Sequence, residues 1–306
     1  MKVLVYMATY NGAKYLREQL DSILAQENVE IDLLIADDAS SDETIDILRE
    51  YAERDGRICY YRNEKNLGYK RNFISLIRHS LENDYDYFAL SDQDDVWKKD
   101  KIYEAVKYIQ SKNLQEDSPV AYSSNLTVVD EKLQEKGSMN SFREIKKYNV
   151  YNLLLENKCT GCTLVFNTAL RNILLQFPPE KVVYPHDELI CKLAILFGQY
   201  LFDDRSFILY RQHGFNQIGV NRGGKFKKYS KMLFDKKRIL HTQCFIDILE
   251  YYPQAKEREL FCFFYNVAKY KTKLKCRLAL LFSPKYRKAS CGKTLVFKMA
   301  VLIGKY

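Results

Sequence analysis

At 306 residues, 47% hydrophobic and 28% charged, the chain can build one large domain or two smaller ones around a sizeable core, and its composition excludes intrinsic disorder. The net charge of +9 is unevenly placed: residues 1–222 carry 28 basic and 34 acidic side chains, and residues 223–306 carry 20 and 5. A mildly acidic front and a strongly basic tail direct the tail toward an anionic surface.

Lys2 to Ala8 is a near-continuous apolar run, the pattern of a strand buried on both faces, and Thr9-Tyr10-Asn11-Gly12 follows as a turn. Apolar residues at Tyr15, Leu16, Leu20, Ile23 and Leu24 form a helical stripe over Lys14 to Gln26. Ile31 to Ala36 reads as a second strand ending in Asp37-Asp38, and Ser40-Ser41-Asp42 caps a helix through about Arg54. Ile58 to Tyr61 is a third strand, followed by an Asn66-Leu67-Gly68 turn and a helix from about Lys70 to Leu81. A fourth apolar run, Tyr87 to Leu90, ends at Asp92-Gln93-Asp94-Asp95-Val96-Trp97. Four strand–helix alternations predict a parallel sheet with helices on both faces, whose ligands bind beyond the carboxyl ends of the strands.

The pattern then changes. A helix near Lys99 to Ser111 precedes strand-like runs over Val120 to Val129 and a short helix at Leu153 to Leu155. Cys159 to Asn167 reads as a strand containing Gly161, and Pro185-His186-Asp187-Glu188 opens a helix through Phe197. Tyr200 to Phe202 and Ser206 to Gln212 read as two strands ending at His213-Gly214. The basic tail predicts helices over Phe226 to Tyr252, Ala255 to Leu281 and Lys293 to Ile303, broken at Gly223-Gly224, Pro253 and Ser283-Pro284. The expected domains are therefore 1–222 and 223–306.

Three carboxylates within four positions repel one another, and hard oxygen donors at a strand end suit Mg2+ or Mn2+. The competing reading is an acidic surface turn with Asp95 or Asp100 as a helix N-cap. Trp97 reads as core or as a ring on which a ligand stacks. Lys70 and Arg71 read as solvated helix residues or phosphate partners, and Gly161 as a tight crossing or a place where a ligand approaches the backbone. Eight Cys with no secretory pattern before Ala8 suggest reduced, cytosolic thiols, and Cys159 and Cys162 read as buried structural thiols. No apolar run reaches membrane-spanning length.

Taken in order, Thr9-Tyr10-Asn11-Gly12, Asp37 to Asp42, Asn66-Leu67-Gly68, Asp92 to Trp97, Thr160-Gly161-Cys162, His186-Asp187 and Tyr210-Arg211-Gln212-His213-Gly214 with Asn216 resemble inverting family 2 glycosyltransferases of the GT-A fold. The Gln-Asp-Asp-Val-Trp and Arg-Gln-His-Gly pieces look most like the rhamnosyltransferase branch that builds bacterial surface polysaccharides. The likeness covers about residues 1–220, and the basic helical C-terminal extension lies outside it. It implies a nucleotide-sugar donor, dTDP- or UDP-linked, with L-rhamnose from dTDP-rhamnose as the first reading. The implied acceptor is a saccharide or an undecaprenyl-linked saccharide.

It also implies roles. Thr9, Tyr10, Asn11, Asn66, Gly68 and Gln93 line the nucleotide-sugar pocket, and Asp38 or Asp37 accepts from a pyrimidine base. Asp92, Asp94, Asp95 and His213 hold the divalent metal, with Asp92 also facing the donor. Asp187 is the catalytic base, with Glu188 as competitor. A UDP-hexose transferase and a non-catalytic nucleotide-sugar-binding scaffold are the alternatives. Basic amphipathic helices suggest peripheral attachment at the inner, anionic face of the plasma membrane, whereas the absence of a recognition motif argues against nucleic acid.

Overall fold

The computed structural model describes residues 1–79, 81, 84–115, 117–139, 149–214 and 242–306. The chain divides into two compact units, one of residues 1–140, 159–194 and 198–219, the other of residues 141–158, 195–197 and 220–306. The expected boundary at 222/223, Asn216, the Gly223-Gly224 break and most of the Phe226 to Tyr252 helix lie outside the described residues.

The first unit is built on one sheet. β1 (Lys2–Thr9), β2 (Glu30–Asp37), β3 (Ile58–Arg62) and β4 (Tyr87–Ser91) alternate with helices α1 (Ala13–Leu24), α2 (Thr44–Arg54) and α3 (Tyr69–Arg78). These four strands are parallel and lie in the order β3-β2-β1-β4. The sheet continues through β8 (Val165–Asn167), β6 (Val120–Val129), β9 (Gln199–Arg211) and the two-residue β5 (Val96–Trp97), with β7 (Glu135–Ser138) paired to β6. β6 and β9 run parallel, and the pairings through β5, β7 and β8 are antiparallel. This is an α/β, mostly parallel sheet flanked by helices.

The alternation in β1 shows why the sheet is covered on both faces. Val3, Val5 and Met7 join the core formed with Leu16, Leu20 and Ile23 of α1. On the opposite face the Tyr6 hydroxyl donates to the Ile77 and His79 carbonyls, and Tyr6, Phe88 and Phe166 stack at 5.8 Å spacings. Burying each such side chain stabilises the fold by about 1.5–3 kcal/mol.

Three expectations are corrected. Cys159 to Asn167 is not one strand: Gly161–Thr163 forms a 3-10 turn and β8 begins only at Val165. The two strands expected over Tyr200 to Gln212 are one, β9, because a register irregularity against β6 near Asn125 absorbs the polar Asp203-Asp204-Arg205 interruption. The single helix expected over Ala255 to Leu281 is three pieces, Pro253–Glu257, Phe261–Lys269 and Leu274–Phe282. Polar Lys271-Thr272-Lys273 provides the second break.

The second unit packs the helices Val150–Leu155, Thr242–Tyr251, Phe261–Lys269, Leu274–Phe282 and Cys291–Leu302 around aromatic rings. Phe245 meets Phe264 at 4.9 Å, Phe263 stacks on Tyr286 at 4.6 Å, and Phe297 meets Tyr306 edge-on at 4.6 Å.

Candidate active site

Register places the polar strand ends side by side. Thr9 lies opposite Asp37, and Asp37 opposite Arg62, so β1, β2 and β3 end level. β4 ends at Ser91 beside Met7. Asp37 and Asp38, both buried, tie the loops beyond this shelf together. The Asp37 carboxylate accepts from the Thr9 hydroxyl at 3.0 Å and from the Ser40 N–H at 2.9 Å. Asp38 accepts at one oxygen from Asn63 Nδ2 at 2.9 Å and the Leu67 N–H at 2.8 Å, and at the other from the Gly68 N–H at 2.8 Å. The Asn66 side chain accepts from the same Gly68 N–H at 2.9 Å. Of the expected Ser40-Ser41-Asp42 cap, Asp42 serves the start of α2 by accepting from the Thr44 N–H at 3.1 Å, although the N-cap position itself is Glu43. The Ser40 and Thr44 hydroxyls instead accept from the Asn11 and Gly12 N–H groups, at 2.9 and 2.8 Å.

Gln93 clasps the first loop. Its amide accepts from the Tyr10 N–H at 2.7 Å and donates to the Tyr10 carbonyl at 3.0 Å. It lies so close over Gly12 that a Cβ there would stand 2.3 Å from Gln93 Oε1, which explains the glycine. Tyr10 keeps its ring exposed.

The acidic stretch after β4 divides by side chain. Burial, then the neighbouring Asp94 and Asp187 carboxylates, push the Asp92 carboxyl up to about 7. Asp94 Oδ2 lies 2.8 Å from His213 Nε2, and the His213 ring packs on Tyr15 at 4.9 Å. Asp95 is fully buried, and one oxygen accepts from the Arg211 N–H at 3.1 Å. Burial, Asp94 and Asp92 hold its carboxyl well above the usual carboxylate range. Asp95 thus anchors β9 beneath the loop through one oxygen and keeps the other on the side of Asp92 and Cys162. Its alternative as a helix cap fails, because α4 (Lys101–Gln110) starts after Asp100, whose side chain caps nothing. Asp92, Asp95 and Cys162 bring their ligand atoms within 4.8 Å of one another, and burial holds the Cys162 thiol protonated.

Asp187 comes from across the sequence, in the first turn of the helix His186–Phe197. Tyr69 lies beside both Asp187 and Asp92, and its hydroxyl is pushed up to about 12 by burial and then by those carboxylates. Glu188 is instead bound to Lys192 one turn on, both buried. The segment before Asp187 is strapped to α3: Lys70 Nζ donates to the Val183 carbonyl at 2.9 Å and Arg71 Nε to the Val182 carbonyl at 3.4 Å. Lys70 is therefore not a solvated helix residue, whereas Arg71 stays exposed as expected.

Gly161 makes room for protein. A Cβ there would lie 2.6 Å from His186 Nε2, closer than real Cβ contacts allow, while Phe73 blocks the ring from behind at 4.1 Å. Burial lowers the His186 pKa to about 3, so the ring is neutral at neutral pH. Gly161→Ala should cost about 1–3 kcal/mol of stability through overpacking. Because His186 carries Asp187 behind it, kcat should fall beyond what the unfolded fraction explains. Denaturant midpoints measured with turnover check both.

Sequence reasoning missed four contributors. Arg211, 1% exposed, donates to the Asp94 carbonyl at 3.0 Å and the Glu131 carbonyl at 2.7 Å, pairs with Glu18, and lies over the Tyr15 ring at 4.4 Å. Tyr69 and Cys162 face the carboxylates as described. Lys101 lies buried behind them, 3.5 Å from the Trp97 ring centre, with its pKa lowered to about 7 by burial. Trp97 is core. Arg211 and Cys162 stood inside recognisable motifs, but nothing local announced their partners.

Comparison with known proteins agrees with this arrangement. Residues 4–174 match the model of the family described as Glycosyl transferase family 2. The chain is 33% identical over 233 residues to the dTDP-rhamnosyl transferase RfbG of Shigella flexneri, covering 72% of this chain and 76% of that protein. Among solved structures it resembles S. aureus TarS 1-349 in complex with UDP-GlcNAc, with a TM-score of 0.59, 18% identity, and coverage of 94% of this chain and 78% of that one. It also resembles the mannosyltransferase PcManGT from Pyrobaculum calidifontis in complex with GDP-Man and Mn2+, with a TM-score of 0.53, 16% identity, and coverage of 99% and 86%. With the GT-A sheet, the level strand ends and the family match together, the chain belongs to glycosyl transferase family 2 and is a glycosyltransferase.

Proposed function

We propose that this glycosyltransferase is metal-dependent and inverting, and moves L-rhamnose from dTDP-rhamnose to a saccharide or undecaprenyl-linked saccharide in cell-surface polysaccharide synthesis. The observation that carries the reading is the meeting of Asp92, Asp94 and Asp187 on one shelf, where Asp92 is driven up to about 7 partly by the other two. Mutually repelling oxygen donors fit Mg2+ or Mn2+, which would relieve that repulsion. Asp92, Asp94 and Asp95 would hold the ion, with His213 beside Asp94. When bound, it supplies Lewis-acid stabilisation of the departing diphosphate.

The protein's own groups do the rest. Asp187 accepts the acceptor hydroxyl proton as that oxygen bonds to the anomeric carbon. The nucleoside diphosphate leaves from the opposite side, so one displacement inverts the configuration. Thr9, Tyr10, Asn11, Asn66 and Gly68 line the donor's path, Gln93 fixes the Tyr10 loop, and Asp38 offers its less engaged oxygen to a pyrimidine base. The rhamnosyl reading is supported by the name of the Shigella relative. A lipid-linked acceptor would place the enzyme at the inner face of the plasma membrane, with residues 223–306 as the attachment.

A thermal-shift screen of dTDP-, UDP- and GDP-sugars with and without Mn2+ tests this. Ligand at about 100 times its Kd stabilises by about 2.7 kcal/mol, so dTDP-rhamnose with Mn2+ should raise Tm by several degrees. A UDP-hexose giving the larger shift would replace the rhamnosyl reading, and equal shifts without metal would remove the metal.

A further inference from the structure

The C-terminal helices carry a surface that contains none of the proposed transfer-site residues. From Leu260 to Tyr306 the chain holds eleven Lys and Arg and no Asp or Glu. On the helix Leu274–Phe282, Leu274, Leu278 and Phe282 recur every fourth residue and are 71, 44 and 77% exposed, while Cys276 and Leu280 turn inward. On the helix Cys291–Leu302, Leu295, Met299 and Leu302, with Ile303 just beyond, form a second stripe between 45 and 63% exposed. Val296, Phe297, Ala300 and Val301 occupy the buried face. Among the described residues these seven stand with only Met1 and Tyr10 as large exposed hydrophobics. Singly exposed apolar residues are ordinary, but seven gathered on two neighbouring helices mark an interaction surface.

The two stripes meet at a groove of about 440 Å³, lined by Phe282 and Leu295 and by Arg287, Lys288 and Lys298. Lys275 is exposed on the flank of the first stripe and Lys305 just past the second. Charge decides the partner. A second copy of this face would bring its cations against their own kind, which disfavours self-association. Nucleic acid would satisfy the cations but leave a mostly aliphatic surface with little to stack on its bases. An anionic bilayer satisfies both components. The helices, nine and twelve residues long, fall short of the roughly 20 needed to span a membrane.

We propose that Leu274–Phe282 and Cys291–Leu302 lie flat on an anionic bilayer, their apolar stripes between the headgroups and Arg287 at the mouth of the groove against a lipid phosphate. This rests on the attachment to a membrane surface proposed above, not on the donor or the reaction.

Flotation of the full chain with phosphatidylglycerol-rich vesicles and with phosphatidylcholine alone tests it. The wild type should float with the first at least about tenfold better than with the second. Phe282→Glu with Leu302→Glu should lower binding about tenfold or more, because both side chains leave the acyl boundary. Lys275→Gln with Arg287→Gln should remove most of the preference for anionic lipid. Both doubles replace exposed side chains and should keep the wild-type Tm. Flotation of the Glu double equal to wild type would overturn this face while leaving membrane attachment standing; no flotation of the wild type would overturn both. Conversion of a wild-type dimer to monomer by the Glu double would make the surface a chain–chain interface. Nucleotide-sugar binding is read separately, so none of these outcomes bears on the transferase reading.

Discussion

Asp187→Asn should leave the protein folded and lower kcat by about 10²- to 10⁴-fold, the range general-base catalysis contributes. The amide keeps the carboxylate's shape but cannot take the acceptor proton. Its environment fits the role: the side chain stands in the first turn of the His186–Phe197 helix, beside Tyr69 and close enough to Asp92 to raise that carboxyl. Glu188 is the informative control. Its carboxylate is bound to Lys192, and both side chains are about 5% exposed or less. Glu188→Gln should therefore take the counter-charge from a buried ammonium and cost about 3–5 kcal/mol of stability, with turnover of the remaining folded enzyme nearly intact. The two variants separate chemistry from scaffolding when kcat, donor affinity and Tm are measured on each. Near-normal turnover by correctly folded Asp187→Asn would move the base elsewhere.

The first half of the sheet was legible because its strands are buried on both faces. Runs such as Val3 to Met7 and Leu33 to Ala36 carry their own signal, and each ends where polar residues begin. The shelf followed from that topology, and Asp92, Asp94 and Asp187 do come together on it. The joins between distant segments were not legible. Gln93 reaches Tyr10 across 83 residues, Arg211 reaches Asp95 across 116, and Gly161 is a glycine because of His186, 25 positions later. Local pattern carries no information about such pairs. The polar interruption inside β9 misled for a related reason: a sheet irregularity admits Asp203 to Arg205, and Asp203 is satisfied there by Arg205 and Tyr122.

Arg211→Met should be among the most destabilising single changes in the first unit, at about 3–5 kcal/mol, or roughly 6–20 °C in Tm. The contributions are unequal. Glu18 is 57% exposed, so that ion pair is screened and worth about 1 kcal/mol at most. The bonds to the part-buried Asp94 and Glu131 carbonyls matter more, because an acceptor shielded from water and left unmade costs up to about 1–3 kcal/mol. Methionine would still pack on Tyr15 but would donate to neither carbonyl. Arg211→Lys should recover only part of the loss, since one ammonium cannot reproduce the guanidinium fork. Asp94's main chain is held from beneath by this residue, so its carboxylate should also lose position against His213. Titration of Mn2+ should then show weaker binding in the folded fraction. His213→Ala would give the converse, weakened Mn2+ binding with little change in Tm, because it removes a partner of the Asp94 side chain and leaves the main-chain clamp in place. If Arg211→Met melted within a degree or two of the wild type, the acidic loop would be holding itself, and the long reach from β9 would be incidental to it.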